Sequence, residues 1–408
     1  MAVGNESLPE LRPVAGLRLA TVSAGIKKPG RKDVVLIELA ENSSCAAVFT
    51  RNAFCAAPVT VARQHLAASE GRPRYLLINT GNANAGTGAA GIEAALACTR
   101  RVADCAGVAA EQVMPFSTGV IGEPLPVPLI EAVVPDALGS LSEAGWKAAA
   151  QGILTTDTRP KGVSMQFSVE GCDYVVTGIA KGAGMICPNM ATMLAYVATD
   201  MAVAPGLLQH MLDAVTNTTF NRVTVDGDTS TNDACVLVAT GAAANSALDD
   251  ADSALYRALY EAVETVCLGL AHALVRDGEG ATKFVTVQVN GGRNETECLD
   301  VAYTIAHSPL VKTALFASDP NWGRLLAAIG RAGLPELDVD RVAVYLNEVL
   351  IAEQGCRAAS YTEAQGVAAM APEDIVIRVE LQRGQSDAAV WTTDFSYDYV
   401  KINAEYRT

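Results

Sequence analysis

Apolar residues recur at helical spacing in three stretches, which predicts three helices that each bury one face. The first stretch carries Trp146, Ala149, Ala150, Ile153 and Leu154. The second carries Leu207, Leu208, Met211, Leu212 and Val215. The third carries Leu255, Leu259, Val263, Val266, Leu270 and Leu274, and is expected to end at the turn with Gly278 and Gly280. Ser140 and Glu143 have the spacing of a capping box for the first helix.

Five other stretches alternate apolar and polar residues in the manner of strands, at 33–39, 74–79, 174–179, 283–289 and 374–381. Strands and helices mix without a strict strand–helix–strand rhythm. The pattern therefore favours an α/β sandwich with mixed sheets over a doubly wound parallel sheet. No repeat, low-complexity segment or linker divides the chain.

Composition narrows the class of partner. The chain has 408 residues, of which 50% are hydrophobic, and a formal net charge of −15 without any basic run. This charge is unfavourable for nucleic acid and for an anionic membrane surface. No uninterrupted apolar run approaches the length of a membrane span, and the first residues do not resemble a secretory signal. The 10 cysteines form no CxxC pair, which is typical of reduced core residues in a cytoplasmic protein.

Three motifs offer chemistry that we consider and reject. Residues 86–91, GTGAAG, match a dinucleotide-binding pattern, but GNANA separates them from the preceding strand, so a glycine loop at a helix start is preferred. Residues 226–233, DGDTSTND, resemble a calcium loop without its Gly and Glu, which favours a polar turn after a strand at 222–225. A buttress of a nearby site is the second interpretation of these hydroxyls and acids. The four histidines lie far apart and lack metal-ligand spacing, so we interpret them as structural.

Residues 181–194, KGAGMICPNMATML, place a single hydroxyl in an apolar run. Threonine is a weak nucleophile, but the α-amine of an N-terminal threonine can serve as its base without any histidine. Gly182 and Gly184 permit unusual dihedral angles, and Pro188 disfavours helix before it. These residues leave two interpretations open, namely a self-processing nucleophile at Thr192 and a buried junction between a loop and a helix.

The same segment resembles the cleavage motif of the ornithine acetyltransferases (glutamate N-acetyltransferases) of arginine biosynthesis. The resemblance continues in order along the chain through TRNAFCAAPV (50–59), NTGNANAGTG (79–88), STGVIGEPLP (117–126), ILTTDT (153–158), NRVTVDGDTSTND (221–233), LVRDGEGATKF (274–284), DPNWGR (319–324) and YVKINAEYRT (399–408). So many ordered motifs make a chance match very improbable.

The resemblance implies a fold and a reaction. The fold is the mixed-sheet α/β sandwich that this family shares with self-processing N-terminal-nucleophile aminopeptidases. The precursor cuts itself between Ala191 and Thr192, which gives an α chain of residues 1–191 and a β chain of residues 192–408. Thr192 then takes the acetyl group of N-acetylornithine and passes it to glutamate by a ping-pong mechanism.

The resemblance also implies roles for individual residues. Thr118 and Gly119 match the oxyanion hole. The substrate-binding positions match Thr155 (or, less well, Thr156), Lys181, Thr192, Glu279, Asn403 and Thr408. A lysine suits the α-carboxylate that both substrates carry, although Lys181 could serve self-cleavage alone. Glu279 suits either the ornithine ammonium or a proton of the leaving amine, and Asn403 could instead cap a turn.

The resemblance implies neither a metal nor an organic cofactor, and it predicts a cytoplasmic α2β2 heterotetramer built from the two fragments. Family members differ in whether acetyl-CoA also serves as donor, and no motif here separates the two kinds. Two other interpretations stay open. The first is an amidase or aminopeptidase on the same scaffold, in which water takes the acyl group, and the second is a binding protein with a decayed site.

Overall fold

The structure is a computed structural model that describes residues 2–4, 7–27, 29–187, 193–243 and 245–405. The helices of this part of the chain are α1 (Ala57–Ala68), α2 (Gly88–Ala106), α3 (Val127–Gly139), α4 (Trp146–Gly152), α5 (Pro205–Thr218), α6 (Ala254–Arg276), α7 (Glu295–Ala306), α8 (Pro309–Phe316), α9 (Trp322–Gly330), α10 (Glu363–Met370) and α11 (Tyr397–Ala404). The strands are β1 (Leu17–Val22), β2 (Val34–Leu39), β3 (Ser44–Phe49), β4 (Tyr75–Asn82), β5 (Val113–Val120), β6 (Lys161–Val169), β7 (Cys172–Lys181), β8 (Leu194–Thr199), β9 (Ala234–Ala239), β10 (Phe284–Gly292), β11 (Ala343–Leu346), β12 (Val349–Glu353), β13 (Cys356–Arg357), β14 (Asp374–Glu380) and β15 (Ser386–Thr393).

Two mixed sheets form a sandwich. The first has the order β1-β2-β4-β5 and the second has the order β3-β9-β8-β7-β6, and each combines one parallel pair with antiparallel pairs. Their facing sides share one core, in which Phe116 of the first sheet meets Tyr196 of the second edge-on at 5.4 Å. Helices α2 and α3 cover the outer side of the first sheet, and α5 and α6 cover the outer side of the second. The layers therefore run helix, sheet, sheet, helix.

The third sheet, of order β13-β12-β11-β14-β10-β15, has a separate core. Helices α7, α8 and α9 contribute apolar residues to it, among them Val301, Leu315 and Ile329. The beginning of β10 and the end of β15 lie near α6, since Phe284 packs into the core of that helix. This third unit delivers α11 and Asn403 to the sandwich.

The five predicted strands and three predicted helices are confirmed as β2, β4, β7, β10, β14, α4, α5 and α6. The predicted capping box is wrong. Ser140 ends α3 instead, and its hydroxyl donates to the Asp136 carbonyl at 2.8 Å. Residue 142 is held against β1, because the Ser142 N–H donates to the Leu19 carbonyl at 3.1 Å, and α4 begins after Gly145 without a side-chain cap.

The predicted strand at 222–225 is also absent from this described stretch. The Thr224 N–H donates to the Trp391 carbonyl at 2.9 Å, and the Val225 N–H donates to the Ile186 carbonyl at 2.8 Å. Val223 and Trp391 form an isolated bridge, whereas a strand needs a run of paired residues.

Helix α6 is the one described helix that is long and apolar enough to cross a membrane by length and composition. Its apolar stripe, which includes Leu259, Val263 and Leu270, is fully buried against the second sheet. Burial of this kind is typical of a core helix, which explains why the helix passes a test based on composition.

Candidate active site

A cavity of about 250 Å³, lined by both polar and apolar residues, lies at one end of the sandwich, between the ends of its two sheets. Of the nine residues that the sequence assigns to the site, six line this cavity: Thr118, Gly119, Thr155, Lys181, Glu279 and Asn403. Thr156 lines it as well, so proximity does not separate it from Thr155. The other three, Ala191, Thr192 and Thr408, lie outside the described residues. The structure thus brings together segments from five distant parts of the chain.

Thr118 and Gly119 lie at the end of β5, where it runs parallel to β4. Gly119 has a φ of +140°, and a Cβ at this position would lie 2.3 Å from the carbonyl carbon of Gly81 and 2.5 Å from the Asn82 nitrogen. Contacts this short exclude every side chain, so only glycine fits here. The close approach lets the backbone itself form the wall of the cavity.

Lys181 is the last residue of β7, and its side chain is 3% exposed. Its ammonium donates to the Thr118 hydroxyl oxygen at 3.2 Å. Because an ammonium can only donate, the Thr118 hydroxyl accepts this bond and keeps its own proton for another acceptor. Burial lowers the pKa of Lys181 below its ordinary value, while the carboxylates of Asp157, Asp233 and Glu279 oppose that change.

Glu279 lies on the loop after α6, where its N–H donates to the Ala183 carbonyl at 2.7 Å. Its carboxylate covers Gly184 so closely that a Cβ there would lie 2.5 Å from Glu279 Oε2. The side-chain amide of Asn403, on α11, donates to the same Oε2 at 2.9 Å. Asn403 therefore orients the Glu279 carboxylate, a contact that the resemblance alone does not supply.

The segment from 181 to 194 joins two neighbouring strands. β7 ends at Lys181, β8 begins at Leu194, and the two residues are paired in the antiparallel register. The alternative of a junction between a loop and a helix is therefore wrong, since a strand follows. The Met193 N–H, next in the chain after Thr192, donates to Asp233 Oδ1 at 3.0 Å. Burial raises the pKa of Asp233 well above its ordinary value.

The sequence pattern missed Asn232, which connects the two sheets at the cavity. Its amide donates to the carbonyl oxygens of Ala83 at 2.6 Å and Ser117 at 2.9 Å. Ser230, Thr231 and Asn232 all line the cavity. The interpretation of residues 226–233 as a buttress of a nearby site is thereby confirmed, and its concentration of short polar side chains was the available signal.

The other rejected motifs also have structural explanations. Residues 86–91 open α2, which begins at Gly88, as a glycine loop at a helix start.

His65 Nδ1 lies 2.7 Å from the Val113 carbonyl, whereas burial lowers the pKa values of His272 and His307 to about 4. Among the described residues that line the cavity, none is a histidine or a cysteine. Chemistry based on a His–Ser or His–Cys pair thus has no support at this site.

The fold is therefore a mixed α/β sandwich with a small cavity at the ends of its two sheets. The model of the ArgJ family matches residues 18–408. The chain belongs to the ArgJ family.

The chain is similar to several individual proteins. The chain is 60% identical over 408 residues, with 100% of each chain covered, to the arginine biosynthesis bifunctional protein ArgJ of Pseudomonas fluorescens (strain Pf0-1). It is 40% identical to the arginine biosynthesis bifunctional protein argJ of Bacillus halodurans, whose crystal structure has a TM-score of 0.49 and covers 51% of this chain and 97% of its own. It is 36% identical to the ornithine acetyltransferase of Mycobacterium tuberculosis crystallised with ornithine, with a TM-score of 0.37 and coverage of 43% and 92%.

Proposed function

We propose that this chain is a self-cleaving acetyltransferase of arginine biosynthesis that moves the acetyl group of N-acetylornithine to glutamate through Thr192. Membership of the ArgJ family supports the reaction. The observation that carries the assignment of residues is the convergence of Thr118, Lys181, Glu279 and Asn403 on one cavity. In the sequence, the Ala191–Thr192 bond comes ten residues after Lys181, which lines that cavity.

Cleavage comes first in this proposal. The Thr192 hydroxyl attacks the Ala191 carbonyl, the C–N bond breaks, and the amine takes a proton. Water then hydrolyses the resulting ester, which leaves chains 1–191 and 192–408. The freed α-amine has an ordinary pKa of about 7.7–8.0, so a large share of it is available as a base near neutral pH.

Transfer follows in two halves. The α-amine takes the Thr192 hydroxyl proton while the oxygen attacks the acetyl carbonyl, and the proton passes to ornithine as it leaves. Thr118 and the backbone at Gly119 stabilise the oxyanion. Glutamate then attacks the acetyl-threonine with its amine, through the same steps in reverse. A cavity of about 250 Å³ suits one amino acid at a time, which favours such a ping-pong order.

Charge explains how one cavity serves both amino acids. The Lys181 ammonium pairs with the α-carboxylate that N-acetylornithine and glutamate share. Glu279, oriented by Asn403, serves the ornithine ammonium or accepts a proton from the leaving amine. Thr155 and Thr408 complete the proposed contacts, and Thr155 lines the same cavity as Lys181.

Three finer features belong to the same proposal. The first is acetyl-CoA as a second donor to Thr192, and the word "bifunctional" in the name of a relative supports a second activity. The two fragments are proposed to assemble as an α2β2 heterotetramer. The protein is proposed to act in the cytoplasm, where thiols such as the buried Cys45, Cys235 and Cys267 stay reduced.

The assay that tests the function follows acetyl transfer from acetylornithine with and without glutamate. We expect formation of acetylglutamate and free ornithine that depends on glutamate. Release of acetate at the same rate without glutamate would overturn the transferase assignment in favour of the amidase. Replacement of acetylornithine by acetyl-CoA in a parallel reaction tests the second donor.

The Thr118→Ala variant tests the oxyanion hole. We expect kcat to fall by about 10²–10³-fold, because the variant loses one preorganised donor to the developing charge. Thr118→Ser is the matched control, since it keeps the hydroxyl and the bond from Lys181, and it should retain most of the activity. Steady-state kinetics of both variants provide the measurement, and equal activity of the Ala and Ser variants would contradict the role.

A further inference from the structure

One buried carboxylate, that of Asp157, lies behind the cavity and contacts two of its walls. Its Oδ2 accepts the Thr155 N–H at 3.0 Å, and its Oδ1 accepts the Gly182 N–H at 2.7 Å. The side chain has no solvent exposure. A single group thereby fixes the backbone at Thr155 and the backbone that follows Lys181, two residues that both line the cavity.

Asp157 is anchored by a buried ion triad. The Lys161 ammonium donates to Asp157 Oδ1 at 2.6 Å and to Asp277 Oδ2 at 2.5 Å, and no side chain of the three is more than 1% exposed. Asp277 in turn accepts the Thr158 N–H at 3.1 Å. Lys161 and Asp157 precede the proposed cleavage position and Asp277 follows it, so the triad also joins the two proposed chains.

The triad carries one negative charge in excess, and that charge faces Lys181. The charged groups around the Lys181 ammonium are Asp157, Lys161, Asp233 and Glu279, and Asp157 is the strongest of the three carboxyl groups that favour protonation. Burial alone would raise the pKa of Asp157, but Lys161, Lys181 and the hydrogen bonds hold it below its ordinary value. Asp157 therefore stays ionised, whereas burial raises the pKa of Asp233.

We propose that Asp157 is a positioning residue of this site. It fixes the backbone at Thr155 and after Lys181 relative to each other, and its negative charge keeps Lys181 protonated and therefore able to bind a substrate carboxylate. The inference rests on the proposed role of Lys181 in substrate binding. Asp157 touches no substrate in this account, because its two oxygens are occupied by backbone N–H groups and Lys161.

The chain provides a matched control in Asp277. Its carboxylate belongs to the same triad, is equally buried and pairs with the same Lys161 ammonium. It is not among the four charges that act most strongly on Lys181. Asp157→Asn and Asp277→Asn each remove one buried negative charge, and both should lower the melting temperature. The Asp157 variant alone should disturb Lys181.

The experiment is the pH profile of kcat/KM for acetylornithine in the full-length enzyme and these two variants. Lys181 binds carboxylate only when protonated, so activity falls on the alkaline side as its proton is lost. Removal of the Asp157 charge, the strongest of the negative charges that act on Lys181, lowers the pKa of Lys181 further. We expect the alkaline limb of Asp157→Asn to move down by about one pH unit or more, and that of Asp277→Asn to stay at the wild-type pH. An unmoved limb, or equal movement in both variants, would overturn the proposal.

Two further variants keep the test decisive. Lys181→Arg retains a charge that does not titrate in this range, so its alkaline limb should disappear, and a limb that persists contradicts the assignment to Lys181. If Asp157→Asn does not fold, Asp157→Glu keeps the charge but displaces the two backbone contacts. Asp157→Glu should raise KM about 10-fold or more, while the alkaline limb of its pH profile stays at the wild-type pH. An unchanged KM counts against the positioning role. Failure of the proposed function can be distinguished from failure of the Asp157 proposal, because in the former case the wild-type enzyme itself would transfer no acetyl group.

Discussion

The Thr192→Ala variant should remain a single chain of 42.5 kDa and transfer no acetyl group. Both losses have one cause, because the hydroxyl that opens the Ala191–Thr192 bond is the hydroxyl that later carries the acetyl group. No cysteine or histidine among the described residues lines the cavity to replace it. Denaturing gels and intact-mass spectrometry of the purified protein give the first result, and the acetylornithine assay gives the second.

The matched control is Thr192→Ser, which keeps both the hydroxyl and the α-amine after cleavage. It loses only the methyl group that restricts χ1, so we expect it to cleave and to transfer acetyl groups, more slowly than the wild type. Fragments of 1–191 and 192–408 in the Ala variant, or transfer that survives in it, would remove Thr192 from the mechanism.

The Lys161→Met variant should lose about 3–5 kcal/mol of unfolding free energy. Lys161 is the only cation of the triad, and its loss leaves the Asp157 and Asp277 carboxylates buried with no ion pair to another described residue. Urea denaturation measures the change. The uncleaved Thr192→Ala background is the suitable host, because every variant then unfolds as one covalent chain.

Arg100→Met provides the comparison. Arg100 pairs with Glu93 at 3.9 Å, and both side chains are more than half exposed, at 52% and 72%. Water and salt screen such a pair, so its loss should cost less than about 1 kcal/mol. Equal losses in the Lys161 and Arg100 variants would mean that the buried triad does not hold the site together.

Much of the sandwich could be predicted from local patterns. The helices α4, α5 and α6 and five of the strands follow from apolar spacing, because each of them turns one face to a core. The errors occur where a distant segment overrides the local pattern. Ser140 and Glu143 satisfy a capping rule, yet Ser142 is bonded to Leu19 of β1, and the helix begins at Trp146, after Gly145. Likewise, residues 222–225 are drawn to Trp391 and Ile186, and only Val223 forms a bridge.

The candidate site divides in the same way. Its lining residues Thr118, Lys181 and Glu279 were predictable, because each stands in a motif that resembles a known family. Asp157 and Asp277 stand in two of those motifs, ILTTDT and DGEG. Because they are 120 positions apart in the chain, nothing in the sequence marks them as partners of one lysine. The spacing of Asp157 and Lys161, four residues apart, was the only local signal of their ion pair.

The sequence by itself determined which segments become helices and strands, to which family the chain belongs, and which residue types serve acyl transfer. Periodicity and motifs depend only on residues that are close together in the chain. The tertiary structure alone decided that β5, β7 and the loop after α6 end at one cavity, and that Asn403 reaches Glu279 from α11. It also decided that Lys161 compensates two carboxylates from different halves of the chain. The physical reason is that strand register and burial set these distances, and both depend on pairing between residues far apart in the chain.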